Sequence, residues 1–356
     1  LNAYTVVYAT MLIPAGGLAD AHGRKRVFLA GVTLFLAASA ACGMADSVAL
    51  LIAARVVQAL GAALLTPASL SIILDAFPKE KRTVAVSLWG AVGGLAAAIG
   101  PSLGSSIVEH LGWPWAFYIN LPLGAVSLWF GAARLREAKI SGKVARIDVV
   151  GMLLLIVAVG ALAMAITQLD SPHWSGLELG ALALTGAIAF GAFIAWARTA
   201  TAPLVDLALF ANRSYSAVNL ATLAFGTAFA MMFFAFFSYM TRIWHFSLPL
   251  AGLAVTPGPL MVVPTAIIAG RIAARTGHRP ILVIGSLIYA ASGLWLLLVP
   301  GTEPAYATQW LPGLFLSGIG VGMVLPSLSG AAVAGLPAAQ YAVGSAVNQA
   351  TRQLGS

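Results

Sequence analysis

The chain has 356 residues, of which 60% are hydrophobic and only 8% charged, a composition that excludes a soluble globular domain and leaves a polytopic membrane protein. Its formal net charge is +8, but the basic residues sit in short loops beside apolar runs. That is an orientation signal and a contact with anionic lipid, and it excludes nucleic acid as the partner.

Eleven apolar segments are long enough to cross a bilayer, at about 1–19, 27–45, 48–76, 83–108, 114–133, 149–169, 177–197, 216–241, 249–270, 281–299 and 310–334, and a twelfth begins near Ala339. Alternate loops, around 24–26, 79–82, 134–146, 198–213 and 271–279, hold 16 of the 19 lysines and arginines. Those loops are therefore expected to be cytoplasmic, with Leu1 outside. The intervening loops carry Asp46, Glu109, Asp170, Glu178 and Glu303, with Arg242 as the basic exception. Trp113, Trp115, Trp174, Trp244 and Trp310 fall near the outer ends, where an aromatic belt is expected. The single cysteine, Cys42, leaves no intramolecular disulfide. The chain starts without Met and without a signal peptide, so both ends are expected to be cuts through a longer protein.

In chain order, the first two segments are joined by a charged turn, Gly16-Gly17-Leu18-Ala19-Asp20-Ala21-His22-Gly23-Arg24-Lys25-Arg26. Gly16 and Gly23 permit a tight reversal, and Asp20 with Arg24 and Lys25 puts a carboxylate and a basic cluster at one membrane face. The glycine spacing recurs at Gly270 and Gly277, followed by Arg279, with Ala274 where the first copy has Asp20. The chain thus contains an internal repeat. The pattern resembles the signature loop of major facilitator superfamily transporters, whose two halves are parallel repeats. This resemblance implies an all-α major facilitator fold with two pseudo-repeated six-helix halves.

The third segment carries Arg55, Gln58 and Ala62 at helical spacing on one face. A charge inside a spanning helix faces a cavity or the bundle interior, so Arg55 and Gln58 are candidates for a relay or substrate pathway; snorkelling to the outer interface is the alternative. R-x-x-Q-x-x-G is similar to a motif of the same family helix, where the resemblance implies proton coupling. The fourth segment reads Gly90-Ala91-Val92-Gly93-Gly94 and then Gly100-Pro101-Ser102-Leu103-Gly104. The pairs Gly90 with Gly94 and Gly100 with Gly104 allow close helix approach, and Pro101 favours a kink. The run resembles the family's antiporter motif, with Ala96 and Ser105 where that motif has glycine.

Next comes Trp113-Pro114-Trp115-Ala116-Phe117-Tyr118-Ile119-Asn120-Leu121-Pro122-Leu123-Gly124, which looks like the sixth helix of the fourteen-helix drug:proton antiporters of the EmrB/QacA type and makes Asn120 a further pathway candidate. Eight helices, where a plain two-half carrier needs six, separate the two copies of the turn. Two helices are therefore inserted. The expected domains are 1–134 as N-terminal half, 135–148 as cytoplasmic loop, 149–197 as the inserted helices, 198–215 as linker and 216–356 as an incomplete C-terminal half. In the segment 216–241, phenylalanine and methionine cover every face, so most of them meet lipid or core. The final run Asn348-Gln349-Ala350-Thr351-Arg352-Gln353 resembles the thirteenth helix of the same type.

The resemblance implies proton-driven export of small lipophilic or cationic compounds, with a small-molecule substrate, protons and the lipid bilayer as partners and no cofactor beyond the proton gradient. An uptake symporter or the exporter of one specific metabolite is the alternative, because the antiporter motif is incomplete. Whether a periplasmic adaptor takes part is left open. The five histidines show neither metal-ligand spacing nor a nucleophile-base grouping, so no metal site and no enzyme are expected. All eleven carboxylates lie towards one membrane face or the other. The coupling carboxylate is therefore expected in a helix that precedes Leu1.

Overall fold

The computed structural model describes residues 2–137, 148–169, 174–201, 203–337 and 340–355, and within its helices the side chains of residues 2, 79, 80, 94, 97, 98, 101 and 342 lie outside the description. Most of the expected loop 135–148 falls outside it as well. The described chain is overwhelmingly helical, as a bilayer requires, because a helix satisfies its own backbone hydrogen bonds where no water can. The helices are α1 (Asn2–His22), α2 (Arg24–Gly43), α3 (Val48–Ala76), α4 (Lys79–Leu111), the single turn α5 (Trp115–Tyr118), α6 (Asn120–Arg134), α7 (Val149–Thr167), α8 (Gly176–Thr199), α9 (Arg213–Arg242), α10 (Leu248–Val255), α11 (Pro257–Thr276), α12 (His278–Leu298), α13 (Leu311–Ala334) and α14 (Tyr341–Gly355). Among the described residues, nine helical segments are long and apolar enough to cross a membrane. The protein is a multi-pass membrane protein.

The chain packs as two units, one of Leu1–Ile72, Phe117–Ser216 and Leu336–Leu354, the other of Ile73–Ala116, Ala217–Gly335 and Gly355–Ser356. These units cut across the sequence halves 1–134 and 216–356, since α4 groups with α9 to α13 and α14 groups with α1 to α3. Small residues explain the placement of α4. A Cβ on Gly90 would stand 2.8 Å from Pro326 of α13, and one on Gly270 of α11 would collide with Ser87 of α4. Only a missing side chain lets these helices lie so close.

Within the first unit, α2 crosses α3 at Gly31 and Gly61: a Cβ on Gly31 would meet Leu64 Cβ at 2.9 Å, and one on Gly61 the Phe35 amide nitrogen at 2.6 Å. Within the second, α12 crosses α13 at Gly285 and Gly320 in the same way, with the Tyr289 amide nitrogen 2.9 Å from a Cβ on Gly320. Gly31 follows Gly23 by eight residues, as Gly285 follows Gly277. The internal repeat therefore extends from the turns into the helix crossings.

The tryptophans divide. Trp113 and Trp115 are exposed, as a belt requires, but Trp244 and Trp310 are not belt residues: both are buried in a cluster with Phe236, Met240, Ala251 and Leu314. Their rings pack together with centroids 5.2 Å apart, and the Trp244 indole donates to the Gly301 carbonyl at 2.9 Å. The apolar interior of the unit offers more burial than the interface does. On α9, Phe225, Phe236 and Met240 are buried while Met231 and Phe234 are exposed, so its aromatics serve both core and lipid faces.

Candidate functional site

The charged turn is far tighter than the stretch from Gly16 to Arg26. α1 ends at His22 and α2 begins at Arg24, so the reversal rests on Gly23 alone, with φ +104°. Gly16 takes no part in it, since it is a buried residue inside α1. Asp20 projects from the last turn of α1 and accepts from Arg24 Nη2 at 2.8 Å and Nε at 3.1 Å. Arg24 is 1% exposed, so a full charge is buried at the start of α2 against a carboxylate that is itself nearly covered.

A second carboxylate takes the helix-terminus role. Glu137 accepts from the Lys25 amide at 3.1 Å and the Arg26 amide at 3.2 Å, filling the open N-terminus of α2 and meeting its positive dipole end. Lys25 Nζ donates in turn to the Ala132 carbonyl at 2.8 Å, tying α6 to the same turn. A Cβ on Gly23 would stand 2.5 Å from Glu137 Oε1, so this position needs glycine twice over. The second copy is plainer. Gly277 has φ +80° with nothing near a would-be Cβ, Arg279 is exposed, and Ala274 offers no charge.

The intramembrane candidates converge. Arg55 lies seven residues, about 10 Å, into α3. Its guanidinium donates to Gln58 Oε1 at 2.5 Å, and Gln58 Nε2 donates to Ser39 Oγ at 2.6 Å. The Asn120 amide reaches the same Ser39 oxygen at 3.5 Å. Gln58 is 1% and Ser39 0% exposed. The guanidinium stacks over the Tyr4 ring with its carbon 4.0 Å from the centroid, with Phe117 farther off at 5.7 Å. Ser39 was not singled out from the sequence. Its signal was there: a lone serine in an otherwise apolar stretch of α2. In the second unit the position six residues before Gly320 is Leu314, buried in the tryptophan cluster, so the repeat carries this polar chain once only among the described residues.

On α4, Gly90 makes the close approach already described, whereas Gly100 and Gly104 have no atom within 4 Å of a would-be Cβ. Gly94 and Pro101 lie in the helix, with surroundings outside the described residues. One further bond ties α4 to the head of α11, Ser102 Oγ to Thr256 Oγ1 at 2.9 Å.

The profile of the Major Facilitator Superfamily matches residues 1–356, the whole chain. The chain belongs to that superfamily. It is 32% identical over 356 residues to Multidrug resistance protein Stp of Mycobacterium tuberculosis (strain CDC 1551 / Oshkosh), covering 99% of this chain and 65% of that protein. To Multidrug export protein EmrB of Escherichia coli (strain K12) it is 29% identical over 360 residues, covering 99% of this chain and 69% of EmrB. The chain thus spans about two thirds of the length of these curated relatives. Among solved structures, the crystal structure of the human organic anion transporter MFSD10 (TETRAN) superposes with a TM-score of 0.71 at 18% identity, covering 99% of this chain and 74% of that one. At that identity the likeness speaks for the fold alone.

The two helices that lengthen this superfamily member beyond a plain two-half count, α7 and α8, pack on each other, and α7 packs on α1. Asp148 clamps them to the following linker. It accepts from the Gly151 amide at 2.8 Å, the Trp196 indole at 2.9 Å and the Leu204 amide at 2.9 Å. Burial is the largest single influence on its carboxyl and opposes ionisation, but the three donors together outweigh it and hold the group below its ordinary value. A lowered carboxylate stabilises fully above about pH 4 and loses that contribution as pH falls through the folded value. The melting temperature of wild type minus that of Asp148→Asn should therefore shrink below about pH 4 in detergent. A difference that stays constant from pH 7 to pH 3 would refute the assignment.

Proposed function

We propose that this protein is a secondary carrier which exports small lipophilic compounds by alternating access, driven by the proton gradient, with no other cofactor. The observation that carries the reading is the chain Tyr4, Arg55, Gln58, Ser39 and Asn120 inside the membrane segments. A charge held by directed hydrogen bonds inside a spanning helix is costly at that depth and marks a transport pathway. The superfamily membership and the multidrug proteins among the relatives support export; Gly23, Asp20 and Arg24 form the hinge of a hairpin that alternating access would flex. The basic loops would face the cytoplasm of a cell membrane, with Leu1 outside.

Guanidinium does not release its proton at physiological pH, so Arg55 serves as a fixed positive charge that lowers the pKa of a carboxylate brought near it. The test uses the full-length protein in proteoliposomes with an imposed pH gradient and ethidium or rhodamine 6G as probe. Counterflow of protons with the probe is expected, abolished by an uncoupler. Gln58→Leu should cut the rate by about tenfold or more, because it releases Arg55 and leaves Ser39 with only the longer bond from Asn120. Probe flux that ignores the gradient, or a Gln58→Leu variant at wild-type rate, would sink proton coupling through this chain of residues.

A further inference from the structure

The second copy of the turn carries a histidine where the first carries an arginine. His278 follows Gly277 as Arg24 follows Gly23, and Ala274 stands where the first copy has Asp20. The buried cation of the first turn therefore meets a carboxylate four residues back, while the second turn has a titratable ring and no carboxylate at that position. The ring turns inward from the first residue of α12 onto α13, where Gly330 makes room for it: a Cβ on Gly330 would stand 2.7 Å from His278 Cε1 and 3.1 Å from Nε2. One turn further along α12, Ile281 packs with Ala269, Ala273 and Met323.

His278 Nδ1 is buried and, among the described residues, has no hydrogen-bond partner. A bare lone pair tolerates that burial better than an N–H with no acceptor, so the seat on Gly330 suits the neutral ring with its proton on Nε2. A proton added at Nδ1 brings a charge and an unfilled donor at once. The described surroundings are cationic. α11, α12 and α13 contain no Asp or Glu, and the charged side chains near the turn are Arg271 and Arg275 of α11 and Arg279 of α12, all exposed. α4, which packs on α11 and α13, adds Lys81 and Arg82 at its start, with Asp75 just ahead of it in α3 and the side chains of Lys79 and Glu80 outside the described residues.

We infer that His278 is a pH-sensitive latch: with its neutral ring seated on Gly330 it holds the α11–α12 turn against α13, and on taking a proton the ring leaves the niche and frees the turn. The first half braces the matching turn with an ion pair. The second braces it with histidine, the side chain that ordinarily changes charge between about pH 5 and pH 8. Only the second hairpin is therefore built to answer acidification of the membrane face that carries it. The latch needs no more than the packing of α11, α12 and α13, whatever compound the carrier moves.

Spin labels at Thr276→Cys and Ala334→Cys, exposed positions at the ends of α11 and α13, read the latch by pulsed dipolar spectroscopy on full-length protein in lipid nanodiscs with its native thiols replaced by alanine. Between about pH 8 and about pH 5 a longer-distance population should grow at least about fivefold. His278→Gln, neutral throughout, should abolish that change. Gly330→Ala, which fills the niche, should show the longer distance at both ends of the range, and His278→Arg with Ala274→Asp, which rebuilds the first-half pair, should hold the short distance at both. A wild-type distribution that stays put with pH, a shift that persists in His278→Gln, wild-type behaviour in Gly330→Ala, or a rebuilt pair that still opens in acid would each overturn the latch. The wild-type titration leaves the niche untouched, so it decides even where a variant fails to fold. Opening with pH in a protein that moves no probe would sink the export reading and leave the latch standing; export without pH-dependent opening would do the reverse.

Discussion

Asp20→Ala should destabilise the protein by about 3–5 kcal/mol, measured as unfolding in mixed detergent micelles, because it removes the carboxylate that pairs with a buried cation. The partner left behind is Arg24, 1% exposed, which in the wild type donates two hydrogen bonds to one carboxylate oxygen. Removing both charges is a different matter. The pair Asp20→Asn with Arg24→Gln should recover more than half of the loss, since a neutral amide pair has a far smaller desolvation cost than a lone guanidinium. If the double variant is as unstable as the sum of the two single ones, the interaction between them is not what stabilises the turn. Transport by surviving Asp20→Asn protein should fall as well, because the hairpin it braces is the piece that alternating access would flex.

The two turn glycines should respond unequally to the same substitution. Gly277→Ala meets only the backbone penalty of a left-handed position, about 1–3 kcal/mol, because nothing lies within 4 Å of its would-be Cβ. Gly23→Ala has that penalty at φ +104° and also pushes aside Glu137, which stands 2.5 Å from the new methyl. The displaced carboxylate leaves two amides of α2 open, adding about 1 kcal/mol on the scale of a lost helix cap. In a Glu137→Ala background the excess should vanish, and the two glycine substitutions should then cost the same. An excess that survives removal of Glu137 would show that the cap is not its source.

Much of this protein is set by composition and periodicity alone. Helix existence, the repeat of the turns at Gly23 and Gly277, the inserted pair α7 and α8 and the family follow from runs of apolar residues punctuated by glycine and charge, because a bilayer leaves the backbone one economical form. Arg55 and Gln58 were also legible, since a charge in an apolar helix has few bland explanations. What a chain pattern cannot specify is which residue from a distant helix completes a site. Ser39 became the acceptor for Gln58 and Asn120 only when α2 crossed α3 at Gly31 and Gly61, and Glu137 became the cap of α2 only when the end of α6 folded back across the turn. The same holds for Trp244 and Trp310, whose amphipathic rings suit an interface but were drawn into an aromatic core by packing. Arg352 stood in plain view in the final motif. That Tyr215 donates to the Gly344 carbonyl of the same helix at 3.1 Å depends on α14 grouping with the first unit, a pairing across 129 residues that no local pattern encodes.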